Sequence, residues 1–184
     1  MSLKIAVVTT SVREGRVGKD VATWTMDVAL SRKDEDVRYE LVDLAEYNLP
    51  ILGSAFATQE QLEAVSKWSQ KMDEFDGYIF VVAEYNHAFT GAIKNAMDFL
   101  KKEVANKAVG FVAYGALGGA RAVETFRMMF GQLQVATTEK TVNFFLGYDF
   151  ENYSVFKPKE YHKANAEILF SQVKNWSKAL KSIR

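Results

Sequence analysis

Residues 78–83 read Tyr78-Ile79-Phe80-Val81-Val82-Ala83, and residues 84–91 read Glu84-Tyr85-Asn86-His87-Ala88-Phe89-Thr90-Gly91. The first run is too uniformly apolar to alternate, so it predicts a strand covered on both faces. The second is a polar loop. From Gly91 to Lys102 the residues Ile93, Ala96, Met97 and Leu100 recur at i, i+3, i+4 and i+7 and lay one apolar stripe along a helix. Strand, loop and helix then repeat on either side. Upstream, Ile5–Val8 reads as a buried strand and Gly18–Leu30 as a helix with Val21, Trp24 and Val28 on one face. Arg38–Leu44 alternates, as a strand with a more exposed face does, and Thr58–Met72 is a helix with Thr58 as N-cap. Downstream come a buried strand at Ala108–Tyr114, a helix at Gly119–Gln134, a strand at Thr141–Leu146, and a closing helix at Pro158–Lys181 with the proline near its first turn. Alternation of this kind predicts an α/β chain, a mostly parallel sheet with helices on both faces.

Composition removes many chemistries. The 184 residues include no Cys, which excludes disulfides, a cysteine nucleophile, iron–sulfur ligation and zinc thiolates. Two His, at His87 and His162, cannot build a His-rich metal cluster, and no metal site is expected. Lys+Arg 23 balance Asp+Glu 23, so no bulk field favours nucleic acid or an anionic membrane. The longest apolar run, Tyr78–Ala83, is far short of a membrane span, and the start of the chain lacks the apolar stretch of a secretory signal. A cytoplasmic protein is expected, with its special chemistry borrowed from a cofactor.

In sheets of this type ligands bind beyond the carboxyl ends of the strands. Three loops lie there. The first, Thr9 to Lys19, offers hydroxyls, free amides, a helix N-terminus and the cations Arg13, Arg16 and Lys19, a set that suits a phosphate. It is neither a Walker A loop nor a Gly-x-Gly-x-x-Gly fingerprint, and a plain helix cap with solvated basic residues fits it equally well. The second, Glu84–Gly91, places Tyr, Asn and His where they could stack on a planar ring and hydrogen-bond its edge. His87 also fits as an exposed turn residue. The third, Tyr114-Gly115-Ala116-Leu117-Gly118-Gly119-Ala120-Arg121, has three glycines in five positions, the mark of close approach or positive φ, or simply of a strand-to-helix turn. Taken together, a phosphate seat, a ring seat and a Gly-rich wall describe a mononucleotide with a flat ring.

At these residues the chain resembles the NADPH-dependent FMN reductase family of flavodoxin-like proteins, which includes quinone, azo-dye and chromate reductases. Ser11-x-Arg13-x-Gly15-Arg16-x-Gly18 is similar to the family's first loop. Glu84-Tyr85-Asn86-His87, followed by Gly91-x-x-Lys94-Asn95-x-x-Asp98, resembles its Pro-Glu-Tyr-Asn motif and helix, and Tyr114-Gly115-x-x-Gly118-Gly119-x-Arg121 resembles its third loop. The matches keep order and spacing across residues 5 to 121. Thr10 stands where the family usually has Gly, Ala83 replaces Pro, and Ala88 and Thr90 stand where Ser and Pro are common. The Thr10 side chain is expected to tighten the phosphate turn. Loss of the prolines is expected to leave the ring loop less rigid.

The resemblance implies a flavodoxin-like three-layer sandwich with a five-stranded parallel sheet in the order 2-1-3-4-5, residues 1–184 forming one FMN-binding domain. It implies that Thr10, Ser11, Arg13, Val17, Gly18 and Lys19 surround the FMN phosphate. Glu84, Tyr85, Asn86 and His87 flank the isoalloxazine, largely through backbone groups, and Tyr114, Gly115, Gly118 and Gly119 form the facing wall. The flavin carries the chemistry, so no protein side chain is assigned as catalytic. The implied reaction is ping-pong: NADPH, or NADH, reduces FMN, and a quinone, azo dye, metal oxyanion or free flavin is then reduced in its place. Arg13 or Arg16 could meet a 2′-phosphate, and Arg121 could serve the nucleotide or a subunit contact. Family members are usually dimers or tetramers. In the helix from Gly119 the core stripe is Val123, Phe126, Phe130 and Leu133, with Met128 opposite and available to a partner. Phe144, Phe145, Tyr148, Phe150, Tyr153 and Phe156 follow, of which the later ones suit a substrate opening or a partner. An FMN-binding electron carrier and a non-enzymatic redox sensor are the alternatives. The zero net charge counts against the acidic docking face usual in a carrier.

Overall fold

Residues 2–184 are described by a computed structural model of the chain. The elements run β1 (Leu3–Thr9), α1 (Gly18–Ser31), β2 (Val37–Asp43), α2 (Gln59–Asp73), β3 (Gly77–Ala83), α3 (Gly91–Asp98), β4 (Ala108–Gly115), α4 (Ala120–Gln132) and β5 (Ala136–Phe145). A short helix α5 (Leu146–Asp149), a small hairpin of β6 (Phe150–Glu151) and β7 (Val155–Phe156), and the closing helix α6 (Tyr161–Leu180) complete the chain. The first five strands form one sheet in the order β2-β1-β3-β4-β5, with every neighbouring pair parallel. This is the expected flavodoxin-like order.

The pleat explains the continuous apolar runs. Ala6, Val8, Tyr78, Phe80, Val82 and Phe111 point to one face, where they pack with Trp68, Met72, Ile93, Met97, Phe126 and Phe130 of α2, α3 and α4. Ile5, Val7, Ile79, Val81 and Val112 point to the other, against Val21, Val28, Leu169, Phe170 and Val173 of α1 and α6. Both faces are covered, so both sets must be apolar. Phe126 and Phe130 stack at 4.7 Å and meet Phe80 and Phe111 in one aromatic cluster beneath the ring loop. Met128, on the opposite side of α4, is 73% exposed.

Thr58 caps α2 as expected, in a reciprocal capping box with Gln61. Three boundaries differ from expectation. α3 stops at Asp98 rather than Lys102, because the Glu103 carboxylate accepts the Lys101 amide at 2.9 Å and turns the chain toward β4. β5 begins at Ala136, five residues before Thr141. Its polar first half lies at the sheet edge, where Arg127 caps the carbonyls of Thr138 and Glu139. Pro158 precedes α6, which starts at Tyr161. No helix among the described residues is long and apolar enough to cross a membrane.

At the end of the sheet away from the three loops, Lys107 is buried and donates to the carbonyls of Met72 and Asp73 and to the Tyr78 hydroxyl at 3.0–3.3 Å. Burial lowers its pKa to about 8. The unfolded chain holds that proton up to about pH 10.4. Between the two values the unfolded state binds more protons, so stability rises with pH. Burial pushes the Tyr78 phenol well up. Above about pH 10 the unfolded chain therefore ionises a tyrosine that the fold keeps neutral, and stability falls. Urea unfolding should show stability climbing from pH 7.5 to 9.5 and declining beyond. Lys107→Met should remove the climb, and a climb of equal size in that variant would overturn the assignment.

Candidate functional site

β1 hands the chain to α1 through Thr10–Val17. From Ser11 to Lys19 only the Arg16 amide donates to a main-chain carbonyl, that of Arg13 at 3.3 Å. The remaining amides have no partner in the chain and gather at the N-terminus of α1, an anion cradle built from backbone. A Cβ on Gly18 would stand 2.7 Å from Ser11 Oγ and 2.8 Å from the Tyr114 hydroxyl, so any larger residue there must displace the side chains that shape the cradle. The cations divide their duties. Arg16 pairs with Asp43 at the end of β2, and its Nε is buried without a partner. Asp43 also accepts the Thr9 hydroxyl at 2.6 Å and the Ala45 amide at 3.1 Å. The Arg16 charge is therefore paired within the chain, which leaves Arg13 as the more available of the two arginines considered for a 2′-phosphate. Lys19 is two-thirds exposed, its Nζ 3.9 Å from Asp43. Arg13 is exposed, with its Nε donating to the Tyr85 hydroxyl at 3.2 Å.

Three of the four residues that depart from the family pattern, Thr10, Ala83 and Thr90, touch one another. Thr10 Oγ1 donates to the Val81 carbonyl at 2.9 Å and accepts the Ala83 amide at 3.4 Å. Thr90 caps α3 and donates from Oγ1 to the Thr10 carbonyl at 2.5 Å. Thr10 does tighten the turn. Thr90 does not loosen the ring loop: its hydroxyl fastens that loop to the first one.

In the second loop the Tyr85 and Ala88 amides and carbonyls exchange hydrogen bonds at 2.8 and 3.0 Å around Asn86 (φ 50°) and His87 (φ 67°). Both central residues are left-handed, as in a type I′ turn, where the second position favours glycine. His87 is held there from outside. Its Nε2 lies 2.7 Å from Arg121 Nη1, and its carbonyl accepts the Thr125 hydroxyl at 3.4 Å. The Asn86 and His87 amides have no partner in the chain. Arg121 also clasps the Glu84 carboxylate, with Nε donating at 2.7 Å and Nη2 donating beside it. The Glu84 side chain is 4% exposed. Arg121 is thus tied to the ring loop through Glu84 and His87.

The third loop closes the site. Gly118 (φ +68°) and Gly119 (φ +74°) are left-handed, and a Cβ on Gly119 would stand 2.8 Å from Ala113 Cβ and 2.9 Å from the Tyr114 nitrogen. Asn143 Nδ2 donates to the Gly118 carbonyl at 2.8 Å, and the Glu84 amide donates to the Tyr114 carbonyl at 3.1 Å. Tyr114 is buried, with its hydroxyl 3.4 Å from Ser11 Oγ; burial pushes the phenol up, so it is a neutral hydroxyl at the cradle.

The loops enclose a cleft of about 130 Å³ lined by Arg13, Val17, Glu84, Tyr85, Tyr114, Gly115, Leu146 and Tyr153. Of the other expected site residues, Thr10, Ser11, Gly18, Asn86, His87, Gly118 and Gly119 belong to the same three loops but do not line it, and Lys19 lines a separate hollow beside Thr9 and Asp43. Leu146 was not foreseen, and Tyr153 only as one of several late aromatics. Phe144 and Phe150 are buried, whereas Tyr148 and Tyr153 are 76% and 72% exposed. A separate hollow of about 490 Å³ lies between Val12, Tyr47, Leu49, Ile51, Gly91 and Asn95, and Ile51, Leu52 and Phe56 are exposed on the same 50–57 segment.

A model of the family described as NADPH-dependent FMN reductase matches residues 3–148. An NAD(P)H-dependent FMN reductase of Nectria sp is 36% identical over 157 residues, covering 79% of this chain and 78% of that protein. An NADPH azoreductase of a Bacillus species is 37% identical over 89 residues, covering 47% of this chain and 49% of that one. Among solved structures, FerB of Paracoccus denitrificans, a flavoenzyme NAD(P)H:(acceptor) oxidoreductase, shares the fold with a TM-score of 0.73 at 17% identity, covering 96% of this chain and 98% of that one.

Proposed function

Because this chain belongs to the NADPH-dependent FMN reductase family, we propose that it binds FMN in the cleft between its three loops and passes electrons from NADPH, or NADH, to a small oxidant. The observation that carries the reading is the set of amides from Ser11 to Lys19 at the α1 N-terminus that find no partner among the described residues, in a loop that shares one cleft, through Arg13 and Val17, with Glu84 and Tyr85 of the second loop. The amides fit a phosphate, the second loop the hydrogen-bonding edge of a flat ring.

Thr10, Ser11, Arg13, Val17, Gly18 and Lys19 hold the phosphate, with the orphaned Arg16 Nε beneath them. Glu84, Tyr85, Asn86 and His87 hold the ring. Tyr114, Gly115, Gly118 and Gly119 stand opposite, bare of large side chains so that the ring can approach the backbone. The bound flavin supplies the redox chemistry, accepting a hydride from the nicotinamide and passing two electrons on to the acceptor. The chain positions the two partners and keeps water out. Glu84 and Arg121 fix the ring loop, and no side chain needs to act as acid or base in the first half-reaction. A single cleft would receive donor and acceptor in turn, so ping-pong kinetics are the expected pattern. Quinones, azo dyes, metal oxyanions and free flavin are the proposed acceptors; the similarity to an azoreductase supports that range.

The whole chain works as one flavin-binding unit in the cytoplasm, as a homodimer or homotetramer. The exposed Met128, Ile51 and Phe56, at 73%, 73% and 93%, support the assembly. The test is a visible spectrum after FMN addition and desalting, followed by NADPH without oxygen. Retained yellow colour that bleaches promptly is expected, from a sample whose mass exceeds that of a monomer. Colour that persists after NADPH indicates an electron carrier, and no retained colour indicates a site without flavin.

A further inference from the structure

Residues 146–157 form a strap whose two ends are tied by one buried carboxylate. Asp149 is fully buried and accepts the Phe145 amide at 2.8 Å, the Lys159 amide at 3.5 Å and His162 Nε2 at 2.8 Å. Its carbonyl accepts the Lys157 amide at 2.7 Å. Beneath the strap, Phe150 packs 6.1 Å from Tyr114 and 5.1 Å from Phe156, and Phe156 packs 4.8 Å from Phe144. The base is therefore fixed.

The tip is not. β6 and β7 share only two residue pairs, and Glu151 to Val155 are all exposed. Asn152 (φ 50°) and Tyr153 (φ 57°) are both left-handed. Tyr153 nevertheless lines the cleft with Arg13, Tyr85 and Tyr114. That cleft, at about 130 Å³, is smaller than the roughly 300 Å³ from which small-molecule sites begin. With the tip in this position, Tyr153 closes one side of the cleft.

We propose that the 150–156 hairpin covers the cofactor cleft and that Tyr153 lies on the bound mononucleotide, so that the strap sets the rate at which flavin leaves. The proposal rests on the reading of the cleft as the flavin site. No part of the three-loop pattern contains this contact.

The test is FMN release from the full-length protein, followed by recovery of flavin fluorescence on dilution. Tyr153→Gly should raise the dissociation rate roughly three- to tenfold, the scale of one aromatic contact. Tyr153→Phe, which keeps the ring, should stay within about twofold of the unaltered protein on the same scale. Glycine relieves the left-handed backbone, so Tyr153→Gly should not lower the melting temperature of the apoprotein. Faster release without lost stability is not what a merely structural tyrosine would give. Because the chain has no Cys, Ser154→Cys provides one thiol for a bimane label at the tip. Its fluorescence should fall as FMN binds and return as FMN leaves. Equal release rates for Tyr153→Gly and the unaltered protein, or a label indifferent to FMN, would overturn the role of the strap while leaving the flavin site standing. Failure of the unaltered protein to bind FMN would overturn the site itself.

Discussion

Gly119→Val is expected to destabilise the fold by about 3–5 kcal/mol, combining backbone strain with overpacking. Gly119 sits at φ +74°, where a β-branched residue is badly placed. The atoms that its Cβ would meet are Ala113 Cβ at 2.8 Å, the Tyr114 nitrogen at 2.9 Å and the Tyr114 oxygen at 3.1 Å. Two of these are backbone of β4, held between β3 and β5, so they cannot turn aside. A loss of this size is a large share of the roughly 5–15 kcal/mol that holds an ordinary domain folded. Gly131→Ala is the control. It lies within α4 with nothing within 4 Å of a new Cβ, and it should gain about 0.5–1 kcal/mol. Urea unfolding of both variants decides the matter. If Gly119→Val unfolds with the midpoint of the unaltered protein, the entry to α4 is not packed as described.

Gly18→Ala should separate binding from folding. Its Cβ would meet the ends of two side chains, Ser11 Oγ at 2.7 Å and the Tyr114 hydroxyl at 2.8 Å. Side-chain ends can move, so the fold should lose only about 1 kcal/mol. They can move only at the expense of the phosphate cradle they shape. Loss of one charge-assisted contact is worth about 1.5–3 kcal/mol, so FMN affinity should fall roughly ten- to a hundredfold. Fluorescence titration measures it directly. Unchanged affinity would mean that the phosphate does not sit at the α1 N-terminus.

Patterns within one element were legible in the sequence. Tyr78–Ala83 and Ala108–Tyr114 announce buried strands because both of their faces are covered. Thr58 announces a helix start because its partner, Gln61, is three residues away. The three loops announce themselves by glycine and polar content. What stayed hidden is pairing across the fold. Arg16 and Arg121 look like free cations until Asp43 and Glu84, 27 and 37 residues distant, arrive beside them. The early start of β5 depends on Arg127 of the preceding helix reaching main-chain groups at Thr138 and Glu139. Tyr153 joins the cleft only because Asp149 ties down the strap that carries it. The left-handed His87 breaks a local preference, and the contact with Arg121 that holds it comes from another helix.

The mutual contacts of Thr10, Ala83 and Thr90 bear on how these residues could be exchanged between relatives. Where relatives of this kind commonly have Gly and two prolines, this chain has two hydroxyls and an amide that proline could not supply. The Ala83 amide reaches Thr10, and the Thr90 hydroxyl reaches the carbonyl of Thr10. Here the loops are stiffened by hydrogen bonds in place of rings, and residues 10, 83 and 90 act as one unit. Thr90 needs only the carbonyl of residue 10, which exists whatever its side chain. Thr10 gains its second partner only once residue 83 has an amide to donate. Moved singly into a relative, these residues should be poor substitutes for what they replace, and moved together they should be exchangeable.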